Sequence, residues 1–166
     1  MAVRPVLAYP HALLKRVTEP VGAITDALRE LAGDLLDTMR AGPATVGLAA
    51  PQIGEPVRAL VLDVEGHPRA KTSHGLVTLF DPVILEAGDP DVLREGCLSV
   101  PDLTANVARA RRVVVRGLGL DGSTVDYEMH GFEARALLHE VDHLDGRLIL
   151  DRVAAASELF PRRVYR

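Results

Sequence analysis

The stretch that decides the fold of this 166-residue chain is His139-Glu140-Val141-Asp142-His143, within a segment, 132–144, that predicts a helix. Two histidines four positions apart lie one turn apart on the same helix face, so both imidazoles can reach one cation. Glu140 follows the first histidine, and its carboxylate can act on a nearby water as a general base. The segment also contains four large apolar residues, and this pattern predicts that the helix is buried. They are Leu137, Leu138, Val141 and Leu144. The stretch therefore predicts a metal-binding helix at the centre of the fold.

A second helix is predicted nearer the N-terminus. Its apolar residues recur at three- and four-residue steps, which is typical of one helix face. They are Leu28, Leu31, Leu35 and Met39. Thr25 or Asp26 can cap the start of this helix, and Gly42-Pro43 ends it.

Between and after the two helices, the sequence predicts strands that are joined mostly by short turns. They span 58–64, 76–80, 83–85, 112–120, 123–129 and, beyond the second helix, 148–150. Asp121-Gly122 is a strong hairpin signal between two of them. We therefore expect an α+β fold, with mostly antiparallel strands packed around the central His-Glu-x-x-His helix, an N-terminal helix, and a single domain over 1–166.

The composition is that of a globular protein, with 48% hydrophobic and 25% charged residues. The net charge of −4 gives no reason to expect DNA binding. No apolar run could span a bilayer and the N-terminus lacks a signal-peptide pattern, so we expect a cytoplasmic protein without a membrane partner. Arginine clusters at 109, 111 and 112 and at 162, 163 and 166 predict a solvated strand end and a solvated tail.

A catalytic metal site needs a third protein ligand beside the two histidines. One class of zinc protease uses a histidine six residues beyond the second one, but position 149 is Ile. Another class uses a downstream glutamate, and the only one here, Glu158, lies in a short tail. Cys97 is the better candidate, because Glu95-Gly96-Cys97-Leu98-Ser99 places the only thiol in a short polar turn. A thiolate with two imidazoles leaves one position for water and favours iron or zinc over magnesium or calcium.

Three segments, in this order, make the chain resemble peptide deformylase. They are Val46-Gly47-Leu48-Ala49-Ala50-Pro51-Gln52, Glu95-Gly96-Cys97-Leu98-Ser99 and His139-Glu140-Val141-Asp142-His143. The opening segment, with Tyr9-Pro10 followed by Leu13 and Leu14, is also similar, so the resemblance covers roughly residues 3–153. Three ordered motifs are far more specific than any one of them. The resemblance implies that 1–166 is one deformylase-like catalytic domain.

The resemblance also implies an activity, which is removal of the formyl group from the N-terminal formylmethionine of newly synthesised proteins. The family's metal is Fe(II) in the cell, and zinc, nickel or cobalt can occupy the site. By similarity, Cys97, His139 and His143 are the metal ligands, and Glu140 is the general acid/base. N-formylmethionyl nascent peptides are the implied partners.

Further site residues follow from the same resemblance. Gln52 and the backbone N–H of Leu98 are expected to bind the formyl oxygen, as in an oxyanion hole. Val46 and Gly47 are expected to pair with the peptide backbone as if with an extra strand. The small residues around them let an extended peptide approach closely.

Other residues are expected to support these roles or to modify them. Glu95, Arg109 and Asp142 are candidates for orienting the ligands, since metal-bound histidines usually need such partners. The family often has Gly where this chain has Thr45, and a β-branched residue there is expected to narrow the cleft. It often has Gln where this chain has Leu138, which we interpret as a packing change.

Arg162, Arg163 and Arg166 could touch ribosomal RNA, because a deformylase must meet nascent chains at the ribosome. Two alternatives to a deformylase also stay open. The first is a deformylase-like amidase or small metallopeptidase with a different acyl substrate. The second is a structural metal site in a binding protein, in which protein ligands fill every position.

Overall fold

The two predicted helices are both present in the computed structural model, which describes residues 2–163. Helix α1 spans Asp26–Ala41, and Thr25 caps it by accepting a hydrogen bond from the Leu28 N–H. Helix α2 spans Gly131–Leu144 and carries the His-Glu-x-x-His stretch, as predicted. Neither helix has the length and hydrophobicity needed to cross a membrane within the described residues.

Six strands form one sheet in which every pairing is antiparallel. In chain order they are β1 Gly47–Ala49, β2 Ala59–Leu62, β3 Val77–Cys97, β4 Val100–Leu118, β5 Thr124–His130 and β6 Leu159–Pro161. The first five are neighbours in sequence order, and β6 adds to the start of β4. The α+β prediction is confirmed, and so is the hairpin at Asp121-Gly122, which joins β4 to β5.

The helices lie on opposite faces of the sheet, because side chains along β2 alternate between two cores. Leu60 and Leu62 pack with α2, whereas Val61 packs with α1. A third cluster includes Cys97 with Leu14, Val100 and Leu148, and it closes the end of the sheet near α2. Helix α2 is thus held against the middle of the sheet, with its histidines beside the end of β3.

Two predictions about strands are wrong. The strands expected at 76–80 and 83–85 belong to a single strand, β3, which passes Pro82 through a register shift between Phe80 and Val83. Asp81 takes a positive φ of 48° there, and its carboxylate accepts hydrogen bonds from the N–H groups of Val21 and Gly22. The expected strand at 148–150 is instead part of a 3₁₀ turn, Ile149–Asp151, in which Asp151 accepts the Leu148 N–H.

Candidate active site

The three predicted ligands come together where β3 ends against α2. Cys97 is the last residue of β3, and the turn begins at Leu98, so the thiol is held by the strand and not by the turn as expected. One ligand atom each of Cys97, His139 and His143 lies within 4.8 Å of the other two. The Cys97 Sγ is 3.3 Å from the His143 Nε2. Three donors this close together form a group that could hold one metal ion.

The electrostatics of this group favour a thiolate. Burial alone raises the pKa of Cys97, but the positive charge of His143 and hydrogen bonding with His139 outweigh it and hold the pKa well below its usual value. The thiolate is the form of cysteine that binds metals. Burial raises the pKa of the neighbouring Glu140 carboxyl, although both histidines oppose that rise.

Two buried polar atoms at this point have no hydrogen-bond partner among the described residues: Glu140 Oε2 and His143 Nδ1. Unpaired buried polar atoms are costly, so they mark places where a ligand or water completes the structure. The sulfur and two nitrogens also suit iron or zinc, and they leave a further position open. The residues present therefore fit a catalytic metal ion.

Gln52 faces the same group with its amide orientation fixed. It lies in a 3₁₀ turn, Ala50–Ile53, and its Oε1 accepts the Ala49 N–H at 3.0 Å. Its Nε2 therefore points the other way, 3.1 Å from the Ser99 hydroxyl and 3.8 Å from the Cys97 Sγ. The buried Gln52 amide therefore directs a hydrogen-bond donor at the candidate site.

The site opens into a cleft of about 250 Å³. Thr45, Val46, Gly47 and Leu98 all line it, so the predicted substrate-binding residues share one cavity with Gln52. A Cβ at Gly47 would lie 2.6 Å from Glu140 Oε1, which means that only glycine leaves room for that carboxylate. Thr45 is half-buried at this wall, and its hydroxyl donates to the Pro43 carbonyl.

Glu95, Arg109 and Asp142 form one buried ion-pair network behind the site. Both Glu95 oxygens accept from Arg109, at 2.9 and 3.0 Å, and Arg109 also donates to Asp142 at 2.6 Å. The Nδ1 of His139 lies 3.0 Å from Glu95, which leaves its Nε2 free to face the other ligands. Burial raises the pKa of Glu95, yet the hydrogen bonds from His139 and Arg109 keep that pKa well below its usual value.

Two arginines of this network were not found from the sequence. Arg135 donates to Glu95 at 2.8 Å and to Asp91, and Arg152 pairs with Asp142. Arg135 lies four residues before the first histidine, so helical spacing was a usable signal for it. Arg152 follows the helix in an irregular segment, and nothing in its local pattern indicates the contact.

The two arginine clusters are only partly solvated as predicted, since Arg111 is exposed but some other members are not. Arg109 is only 5% exposed, so the prediction of a solvated strand end is wrong for this residue. Arg162 is half-buried and lines the cleft, whereas Arg163 is exposed. Arg166 lies outside the described residues. Leu138 is half-buried against the core beneath α2, consistent with a packing role.

Fold and site together define a class: an α+β protein whose buried His-Glu-x-x-His helix faces a strand-borne cysteine. The family model for polypeptide deformylase matches residues 3–158, and the chain belongs to that family. Peptide deformylases are metal-dependent enzymes that act on formylated nascent peptides.

Curated relatives and solved structures agree with this assignment. The chain is 39% identical to the peptide deformylase of Brucella suis over 155 residues, which are 93% of this chain and 86% of the relative. It is 41% identical to that of Desulforudis audaxviator, over 98% of this chain and 99% of the relative. The crystal structure of the Ehrlichia chaffeensis peptide deformylase with actinonin superposes with a TM-score of 0.86 at 30% identity, covering 95% of this chain and 92% of that one.

Proposed function

We propose that the chain removes the formyl group from the N-terminal formylmethionine of newly made proteins, with one divalent ion held by Cys97, His139 and His143. The observation that carries this proposal is the close approach of the three ligand atoms, within 4.8 Å, beside a buried Glu140 oxygen without a partner. In a structural metal site, protein ligands fill the coordination sphere, so there is no bound water on which a neighbouring carboxylate could act.

When bound, the ion supplies Lewis acidity that makes a water molecule nucleophilic near neutral pH. Glu140 takes a proton from that water and returns it to the amine nitrogen that leaves, so that formate and a free amine result. The Gln52 Nε2 and the Leu98 N–H donate hydrogen bonds to the formyl oxygen as negative charge builds on it. The hydrogen bond that Gln52 accepts from Ala49 keeps the donor facing that oxygen.

The substrate peptide is proposed to lie along Val46 and Gly47, whose backbone groups pair with it as an added strand. Thr45 sits at the same wall and reduces the room for the side chain beside it. Residues 1–166 are proposed to act as one catalytic domain. Its place of action is the cytoplasm, where nascent chains appear.

Fe(II) is the proposed metal in the cell, with zinc, nickel or cobalt able to take its place. The donor set supports this group of candidates, since thiolate and imidazole suit these ions better than magnesium or calcium. Metal analysis of protein purified without oxygen checks the identity of the ion directly.

A transient contact with the ribosome is proposed for Arg163 and Arg166, which would bind phosphates of ribosomal RNA. Arg163 is exposed and follows strand β6, and such phosphate contacts weaken steeply with salt. Removal of both charges should reduce co-sedimentation with ribosomes at low salt. Unchanged co-sedimentation would contradict the contact.

The activity is tested by anaerobic, iron-loaded protein with three matched peptides: formyl-Met, acetyl-Met and free Met at the N-terminus. We expect amine release from the formyl peptide alone, because the donors of Gln52 and Leu98 fit a small acyl group in a tight site. Turnover of the acetyl peptide at a similar rate would favour the broader amidase, and cleavage of the free peptide would favour a metallopeptidase. No turnover with iron, nickel or cobalt would overturn the proposal.

A further inference from the structure

Three arginines from separate parts of the chain surround the mouth of the cleft. Arg69 comes from the loop between β2 and β3, Arg94 from β3, and Arg162 from the segment after β6. Arg69 and Arg94 are exposed and Arg162 is half-buried, so all three guanidinium groups can be reached from solvent. Neither the proposed chemistry nor the metal site uses any of them.

These three arginines carry charge that the cleft does not neutralise. Within residues 2–163, no carboxylate lies within 4.0 Å of their guanidinium nitrogens. The cleft has two carboxylates of its own, and neither is available to them. Glu95 is already engaged by Arg109, Arg135 and His139, and Glu140 is buried beside the proposed metal ligands. The rim is therefore cationic in a protein whose net charge is −4.

The guanidinium groups are held in position by contacts that leave donors free. Arg94 lies over the Phe160 ring at 3.4 Å from its centroid, and its Nε donates to Asn106. Arg69 lies over the Phe132 ring at 5.3 Å. Cation–π contacts of this kind orient arginine without neutralising its charge. The terminal nitrogens of Arg94 therefore stay available for a bidentate partner.

Arg162 is positioned by contacts with β4 and with Gly96. Its N–H donates to the Asp102 carbonyl at 2.9 Å, which fixes the segment after β6 against β4. Its guanidinium lies against Gly96, and a side chain at that position would require the end of the Arg162 side chain to shift. Gly96, next to Cys97, thus leaves space for the Arg162 side chain at the edge of the cleft.

The cationic rim extends beyond the cleft in one direction. Arg94 and Arg162 also line a neighbouring shallow depression, together with Thr104, Phe160 and Arg163. The three arginines line the same cavity as Val46 and Gly47, along which the substrate peptide is proposed to lie. With the formyl end at the candidate site, the side chains that follow the formylmethionine are the ones that this rim can contact.

We propose that this rim makes the enzyme selective for nascent chains with an acidic residue directly after the formylmethionine. The inference rests on the proposed function and adds a substrate class to it. Arg94 and Arg162 are the specificity residues, because they border both the cleft and the depression, and Arg69 contributes from the cleft alone. A carboxylate there gains a charge-assisted hydrogen bond, whereas a lysine meets only like charge.

The experiment compares kcat/KM of the metal-loaded enzyme for formyl-Met-Asp, formyl-Met-Asn and formyl-Met-Lys peptides that are otherwise identical. We expect the order Asp, Asn, Lys at low salt, and we expect salt to compress the differences. Arg94→Gln and Arg162→Gln should each lower the Asp-to-Asn ratio by about two- to five-fold, the range for one partly exposed ion pair. Arg111→Gln removes an exposed arginine that lies outside the cleft, and it should leave the ratio unchanged.

A charge reversal, Arg162→Glu, should raise kcat/KM for the lysine peptide above the value of the unaltered enzyme. This variant gives a positive result that a merely unfolded protein cannot give. Equal kcat/KM values for all three peptides would overturn the inference while leaving the deformylase function intact. Absence of turnover with every formylated peptide would overturn the function itself. If Arg162→Gln lowered only ribosome co-sedimentation, the charge would serve RNA contact and the inference would be wrong.

Discussion

Helix α2 has two buried polar sides that differ in how completely they are paired. On one side, Glu140 and His143 face the Cys97 thiol, and each keeps a buried atom without a partner in residues 2–163. On the other side, Asp142 and Arg135 face the buried network around Glu95 and Arg109, where each of these charged groups has an oppositely charged partner. The side chains named on both sides are buried.

The difference teaches which charges support the structure and which ones serve chemistry. A buried ion pair that is fully hydrogen-bonded resists removal of either partner, because the remaining charge is left unpaired. An unpaired buried carboxylate costs stability, and it persists where function requires it. Glu140 is therefore expected to be dispensable for folding and essential for turnover, whereas Glu95 is expected to be needed for folding.

The largest effect is expected for Glu140→Gln, which keeps the shape of the side chain and removes the base. We predict a loss of about 10²–10⁴-fold in kcat with the metal content unchanged. The thermal midpoint of the metal-free protein should rise, because burial opposes the Glu140 charge. Elemental analysis, steady-state kinetics and a thermal melt measure the three properties. Normal hydrolysis by this variant would show that Glu140 is not the base.

Glu95→Gln should have a smaller effect on activity and a large effect on stability. Loss of this charge leaves Arg109 and Arg135 without their shared partner, at a cost of about 3–5 kcal/mol in the free energy of unfolding. It also weakens the orientation of His139, so metal affinity should fall by about 10–100-fold. Chelator competition and denaturant unfolding measure the two quantities.

The matched control for Glu95→Gln is Asp126→Asn, which removes an exposed ion pair with Arg116 on the sheet. The control should leave both the stability and the metal affinity almost unchanged, because surface pairs contribute little. If Glu95→Gln behaved like this control, the buried network would have no role in holding the site.

The smallest effect is expected for Leu138→Gln, which introduces the residue that the family often has before the first histidine. Leu138 packs against the core beneath α2, so the change should cost about 1 kcal/mol of stability. The kcat/KM for a formyl-Met peptide should stay within about two-fold of the starting value. A tenfold change would mean that position 138 contributes to the chemistry and not only to packing.

Local patterns predicted those parts of the fold that local forces determine. The period of apolar residues located both helices, and Asp121-Gly122 located the hairpin between β4 and β5. Strand β3 was predicted in pieces, because Pro82 and the charged residues beyond it break the pattern that defines a strand. The long pairing with β4 overrides these local signals, and no single segment reveals it.

The site was predictable as a set of residues but not as a charge arrangement. Spacing in the helix indicated His139 and His143, the only thiol in the chain indicated Cys97, and the resemblance to the family supplied Gln52. The ion pairs that Arg109 and Arg152 form were not predictable from the local pattern, since their partners lie up to 33 positions away in the chain. The position of Arg162 at the cleft depends on the pairing of the short strand β6, which has no sequence signal of its own.

The central claim is that Cys97, His139 and His143 hold one catalytic metal ion, and a cobalt titration tests it most directly. Thiolate ligation of cobalt(II) gives a sulfur-to-metal charge-transfer absorption that nitrogen and oxygen ligands do not give. We predict one cobalt per chain, this absorption, and formyl-peptide turnover that rises in proportion to it, with all three lost in Cys97→Ala. Full cobalt binding and turnover in Cys97→Ala would contradict the account.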